Sequence, residues 1–298
     1  MNQVPVAPPV RDGQLKRPDG RTLAWMEAGV IDGRPILRVP GTPGSRAQVR
    51  PDQSPWLDRG LRMILTERPG FGASTRHPGR SFLDHAADLA AILDELGLER
   101  VPIIGGSGAG PYLLALAASH PDRVQAVTVA VGAAPIVDEE AELMIGLNAQ
   151  GYWLAKAGDR EGMTRLLTPV RESMLEDPLG SFREVMESAP PSDQEIMRDP
   201  AWQDYLSRGL TEALRPGVEG WVDESMLMFS GWLDLDVSAV RASVTWWHGD
   251  HDRNAPLPAV RRLLRQIPHA RLIVWPDAGH LTAYRREGAI LDELLART

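Results

Sequence analysis

One hydroxyl, Ser107, sits in the run 105-GGSGAG-110 with almost no other side chain beside it. Farther along, Asp250 and Asp252 lie in 243-SVTWWHGDHDRNAP-256, and His280 lies in 271-RLIVWPDAGHL-281. A serine hydroxyl is a weak nucleophile. It needs a base to take its proton and donors to receive the charge that develops on the substrate oxygen. Serine, carboxylate and imidazole in this chain order are the side chains required for acyl transfer through a covalent intermediate.

The bareness of the serine run has a physical reading. The apolar segment 101-VPIIG-105 precedes it and 111-PYLLALAASH-120 follows, so Ser107 falls on a sharp turn from strand to helix. Such a turn forces its central residue toward an unfavourable backbone conformation and brings strand and helix close together. Gly105 and Ala109, two positions to either side, are small enough for that approach, and Gly110 adds clearance. Pro111 suits a first helical turn, where its missing N–H has no intrahelical partner. The pattern is G-x-S-x-A-G, with its last glycine displaced by one. A phosphate-cradling loop is the competing reading, but it requires a Walker lysine or a G-x-G-x-x-G run, and neither follows.

These loops must be delivered to one place by regular elements. Strands are expected at 22–28, 35–39, 62–67, 101–105, 124–131, 243–248 and 271–275, several nearly continuous in apolar residues, as in strands covered on both faces. Helices are expected at 82–96, 108–119, 256–267 and 283–296, with Gly97 as the stop of the first. The alternation predicts an α/β fold, a mostly parallel central sheet flanked by helices, whose parallel strands bring their following loops to one edge. Residues 136–235 contain no convincing strand and seven of the ten methionines, which reads as a helical cap inserted between two strands. The expected domains are a core of 1–135 with 236–298 and a cap of 136–235.

On these motifs the chain resembles the α/β-hydrolase fold superfamily over nearly its whole length. GGSGAG is similar to the family's nucleophile elbow, HGDHDRNAP to its acid turn and DAGHL to its histidine turn. The loop 39-VPGTPGSR-46 resembles the family's oxyanion loop, and 67-ERPGFGAS-74 its D-x-R-G-x-G-x-S turn. Pro40 and Glu67 depart from the family's histidine and aspartate at positions without catalytic roles. The resemblance implies a serine hydrolase of the capped bacterial, esterase-like kind. Ser107 would be the nucleophile, His280 the base, Asp252 its partner, and the backbone N–H groups of Thr42 and Gly108 the oxyanion donors.

Other readings stand beside these. Asp252 could cap the helix beginning near Pro256 while Asp250 or Asp138 supplies the acid. His248, Asp250, His251 and Asp252 could hold a metal, although their directions alternate and no second cluster completes a shell; no metal or cofactor is expected. Thr42 could be only a turn residue. Histidines 77, 85, 120, 248, 251 and 269 read as turn and surface residues. The cap methionines with Trp153, Trp202, Trp221 and Trp232 read chiefly as packing, some of them facing the pocket. An iminopeptidase-like amide hydrolase or a C–C hydrolase is the alternative chemistry, with Glu139, Glu140, Glu219 or Glu224 available for a substrate ammonium. A non-catalytic ligand-binding member of the fold is the third reading. Dehalogenase and epoxide-hydrolase readings need an aspartate where Ser107 stands.

Composition narrows the partners. The absence of cysteine excludes disulfides, thiol nucleophiles and Cys-based zinc sites. A net charge of −8 argues against nucleic acid, and 261-RRLLR-265 reads as a solvated helix face. No apolar run approaches the roughly 18 to 20 residues that span a bilayer. The first ten residues, MNQVPVAPPV, lack the pattern of a secretion signal, so a cytoplasmic location is expected. The expected partners are a small-molecule ester-type substrate and water, with a homodimer left open.

Overall fold

A computed structural model describes residues 11–30, 32–180 and 189–298. Its strands are β1 (Arg11–Lys16), β2 (Thr22–Gly29), β3 (Arg34–Val39), β4 (Leu61–Thr66), β5 (Val101–Gly106), β6 (Val124–Ala130), β7 (Ser243–Gly249) and β8 (Ala270–Trp275). They form one sheet in the order β1-β2-β4-β3-β5-β6-β7-β8. The β1–β2 and β2–β4 pairs are antiparallel, and every pair from β4 to β8 is parallel. The loops after β3, β5, β7 and β8 therefore open on one edge, and these are the loops that hold Thr42, Ser107, Asp252 and His280.

Side chains alternate between two cores, as the period of a strand demands. Leu37, Ile64 and Ile103 point to one face, where α2 (Phe82–Glu95), α3 (Gly110–Ser119) and α10 (Leu257–Leu264) cover them. Ile36, Met63 and Ile104 point to the other, against α1 (Ser54–Leu57) and α11 (Glu287–Leu295). Helix α2 begins with a capping box of Ser81 and Asp84. It ends before Gly97, whose φ of +65° fits the stop expected there.

The seven expected strands form, with ends shifted by a residue or two. An eighth, β1, was not expected: RDGQLK is short, charged and exposed at the sheet edge, so it has no apolar alternation to announce it. Val131, expected at the end of its strand, lies just beyond β6 with a φ of +47°, an uncommon conformation for a β-branched residue.

Between β6 and β7 lie α4 (Asp138–Ala141), α5 (Gly146–Lys156), α6 (Arg160–Glu176), α7 (Pro191–Met197), α8 (Pro200–Leu214) and α9 (Glu219–Ser230). Met163, Leu167, Leu210, Leu214 and Trp221 form a core of their own there, joined by Phe71 from the loop after β4. A second contact seats this layer on the sheet edge: Trp202 of α8 stacks on Tyr284 with ring centroids 5.2 Å apart and planes 17° from parallel. No helix among the described residues is long and apolar enough to cross a membrane.

Candidate active site

The elbow is built as its composition demands. Strand β5 ends at Gly106, and Ser107 opens a short 3-10 turn, Ser107–Ala109, that runs into α3. Ser107 has a φ of +55°, the strained left-handed conformation anticipated for this position. A Cβ on Gly105 would stand 2.6 Å from both Ala109 Cβ and Val39 O, so strand and helix approach only because that residue has no side chain. The main-chain N–H of Ala133, in the loop after β6, donates to Ser107 O at 2.9 Å and fixes the turn.

His280 and Asp252 meet across the loops after β8 and β7. His280 Nδ1 lies 2.8 Å from Asp252 Oδ2, while Asp252 Oδ1 accepts from the N–H groups of Asn254 at 2.8 Å and Ala255 at 3.1 Å. One carboxylate thus both organises its own turn and orients the imidazole, so the capping and acid readings are compatible. Burial alone would raise the Asp252 carboxyl. The charge and hydrogen bond of His280 outweigh it, and the group is held below its usual range as a carboxylate acceptor. Burial alone would lower the imidazole, but Asp252, with a smaller contribution from Asp193, raises it above 6.5. An imidazole held this way presents Nε2 as the site that takes a proton.

The other acids considered from sequence do not meet this ring. Asp250 is exposed and lies 3.4 Å from Ala278 N, and Asp138 is exposed and bound by Tyr152 and Lys156. The metal reading loses its geometry as well, because His248 is buried inside the sheet while Asp250 and His251 are exposed. His248 and His85 correct the expectation that these histidines serve turns and surfaces, since both are fully buried. His248 Nε2 donates to Ala255 O at 2.7 Å, its Nδ1 accepts from Trp246 at 3.4 Å, and burial lowers its pKa, so it stands neutral behind Asp252.

Thr42 and Gly108 come together at the elbow. A Cβ on Gly108 would lie 2.7 Å from Thr42 Cβ and 3.3 Å from Thr42 N, so the glycine permits this close approach. Arg68 donates to Pro40 O, to Gly41 O at 2.6 Å and to Thr42 Oγ1 at 2.8 Å. Thr42 Oγ1 in turn donates to Glu224 Oε1 at 2.9 Å. Glu224, from α9, is fully buried, paired with Arg68 at 2.8 Å and with Arg80, and accepts from Tyr112 at 2.7 Å. Burial would raise its carboxyl, but the charges of Arg68 and Arg80 hold it below the usual carboxylate range.

Sequence reasoning offered Glu224 only as a partner for a substrate ammonium and missed its pairing with Arg68 and Arg80. Its signal was an acid at 224 on the same helix stripe as Trp221 and Met228, a core-facing position at which a solvated glutamate does not belong.

Ser107, Thr42, Gly108 and His280 line one cavity of about 470 Å³. Ser107 Oγ makes no hydrogen bond to His280 in this arrangement, so the site brings Ser107 and His280 to a shared space and Asp252 and His280 into direct contact. Met144, Met174, Met197 and Met228 also line the cavity, as does Trp221. Trp202 packs on the sheet edge and Trp153 is exposed. Met186 lies outside the described residues.

The family model for the alpha/beta hydrolase fold matches residues 34–285. The chain is 32% identical over 253 residues to a 2-hydroxy-6-oxo-2,4-heptadienoate hydrolase of Pseudomonas putida, covering 83% of each chain. A thermophilic esterase from Thermogutta terrifontis superposes with a TM-score of 0.64 at 23% identity, over 97% of this chain and 99% of the esterase. The enol-lactonase from Burkholderia xenovorans LB400 gives a TM-score of 0.66 at 19% identity, over 94% and 97% of the two chains. The two superpositions establish likeness of fold.

Proposed function

The chain belongs to the alpha/beta hydrolase fold family, and from that premise we propose that it hydrolyses carboxylic esters, lactones included, through an acyl-enzyme on Ser107. The observation that carries this reading is the 2.8 Å bond between His280 and Asp252 at the mouth of the loops that also deliver the strained Ser107. Ser107 Oγ attacks the carbonyl as its proton passes to His280 Nε2, and Asp252 balances the imidazolium that forms. The N–H groups of Thr42 and Gly108 receive the oxyanion, and the imidazolium returns its proton to the leaving alkoxide. Water then repeats the sequence on the acyl-enzyme, with His280 as base, and frees the acid.

Charge in the cavity favours a neutral substrate with an apolar portion. Among the described lining residues Arg38 is the one arginine or lysine, and it is paired with Glu287, which leaves no free counterion for a substrate carboxylate. Of the four acids considered for an aminopeptidase none lines the cavity: Glu224 holds Arg68 and Arg80, Glu140 holds Arg262 at 2.6 Å, and Glu139 and Glu219 are exposed. A panel of p-nitrophenyl esters of graded chain length, lactones and aminoacyl anilides tests the assignment. Esters or lactones should be turned over at least about 100-fold faster than anilides bearing free amines, a margin worth roughly 2.7 kcal/mol of transition-state discrimination. A preference for those anilides would overturn it.

The raised imidazole predicts a pH profile. Catalysis needs His280 neutral, so kcat/KM should rise with pH through a midpoint above 6.5 and then level off. The sign follows from Asp252, whose charge favours the protonated ring. A midpoint at or below 6.5 would contradict the pairing.

A further inference from the structure

Thr42 is gripped through more than its main chain. The Gly41 carbonyl and the Thr42 N–H belong to one planar trans peptide and point in opposite directions. By tying back Gly41 O at 2.6 Å, Arg68 therefore turns the Thr42 N–H the other way, toward the side on which Gly108 lies. The Thr42 hydroxyl completes the grip, accepting from Arg68 and donating to Glu224. Arg68 and Glu224 are both fully buried, so neither bond competes with bulk water.

We propose that Arg68 and Glu224 are positioning residues for the oxyanion hole, with the Thr42 hydroxyl as the joint through which they set the direction of the Thr42 N–H. The carboxylate comes from α9, in the helical layer, while Arg68 and Arg80 follow β4 and Tyr112 lies on the elbow helix α3. One buried side chain thus links the helical layer to the oxyanion loop and to the helix that begins at the nucleophile. Two guanidiniums against one carboxylate also leave an excess of one positive charge beneath a site where negative charge develops.

The inference rests on the acyl-enzyme reading, and Thr42→Val tests it while leaving the ion pairs in place. The variant keeps the branched shape and removes the hydroxyl. With a p-nitrophenyl ester, kcat should fall about 10- to 100-fold and KM should move less than about threefold, because a donor aimed at the oxyanion acts in the transition state and not on the bound ester. Affinity for a trifluoromethyl ketone, whose hemiketal oxygen occupies the same position, should fall by a similar factor. Thr42→Ser should recover most of the loss.

Glu224→Gln should give the same signature where it folds, by circular dichroism. If it does not fold, because two buried guanidiniums are left under-compensated, the two Thr42 variants decide. A folded Thr42→Val enzyme with kcat and ketone affinity within about threefold of wild type overturns the proposal, as does a Thr42→Ser enzyme as impaired as the valine variant. Failure of the wild-type protein to turn over any ester, or to be labelled at Ser107, would instead remove the acyl-enzyme reading.

Discussion

Ser107→Ala lowers kcat by about a millionfold and leaves the folded protein intact: that is the expected result with the largest effect, since nucleophile and base act as one unit. The structural cost of the change is small. Ser107 Oγ supports no neighbouring group, and alanine meets the same left-handed conformation that serine already occupies at a φ of +55°. What disappears is the covalent route, so a fluorophosphonate should label the wild-type serine and leave the alanine variant unmodified by mass spectrometry. The remaining rate, about 10³- to 10⁴-fold above water, would report binding and the oxyanion donors alone. Turnover of the variant near the wild-type rate would end the assignment of Ser107.

Asp252→Asn is the second large effect, about 10⁴-fold in kcat, and its cause is the direction of one hydrogen bond. An asparagine can keep its oxygen toward the N–H groups of Asn254 and Ala255, now bound to Asp252 Oδ1. Its amide nitrogen then faces His280 Nδ1 and donates to it. The ring is driven to the tautomer with hydrogen on Nε2, which has no lone pair for the serine proton. The acidic limb of the pH profile should also move down, because the charge that raises the imidazole has gone. Asp250→Asn provides the contrast: that side chain is exposed and away from the ring, and its loss should change kcat by less than about threefold. Equal losses at the two positions would show that Asp252 is not the partner of His280.

The parts of this site legible in the sequence share one property. Ser107, Asp252 and His280 each follow an apolar run with strand character, and a parallel sheet sends such positions to a common edge whatever the intervening chain does. The loop after β3, proposed to supply an oxyanion donor, was legible for a related reason, since its Pro- and Gly-rich run leaves little but main chain to interact. The pairing of Glu224 with Arg68 was not legible. A charged residue on a helix or in a turn ordinarily meets water, and only the folded chain reveals that these charges neutralise one another in the interior. His85 and His248 were misjudged for the same reason, because neutral imidazole and protonated imidazole are one letter. The β1 strand was hidden by its position, as an edge strand with charged side chains obeys the sheet's hydrogen bonding without its apolar pattern.

The stack of Trp202 on Tyr284 ties the cavity wall to the turn that carries His280. Tyr284 lies four residues beyond His280, so the wall that α8 contributes and the turn that presents the imidazole share a foundation. Reshaping the cavity for bulkier molecules along Tyr205 or Tyr284, which line it and pack on each other, would disturb the turn that carries His280 as well as the available room. Met144, Met174 and Met228 line the same space away from that stack, and their unbranched chains are the natural places to carve volume without retuning the chemistry.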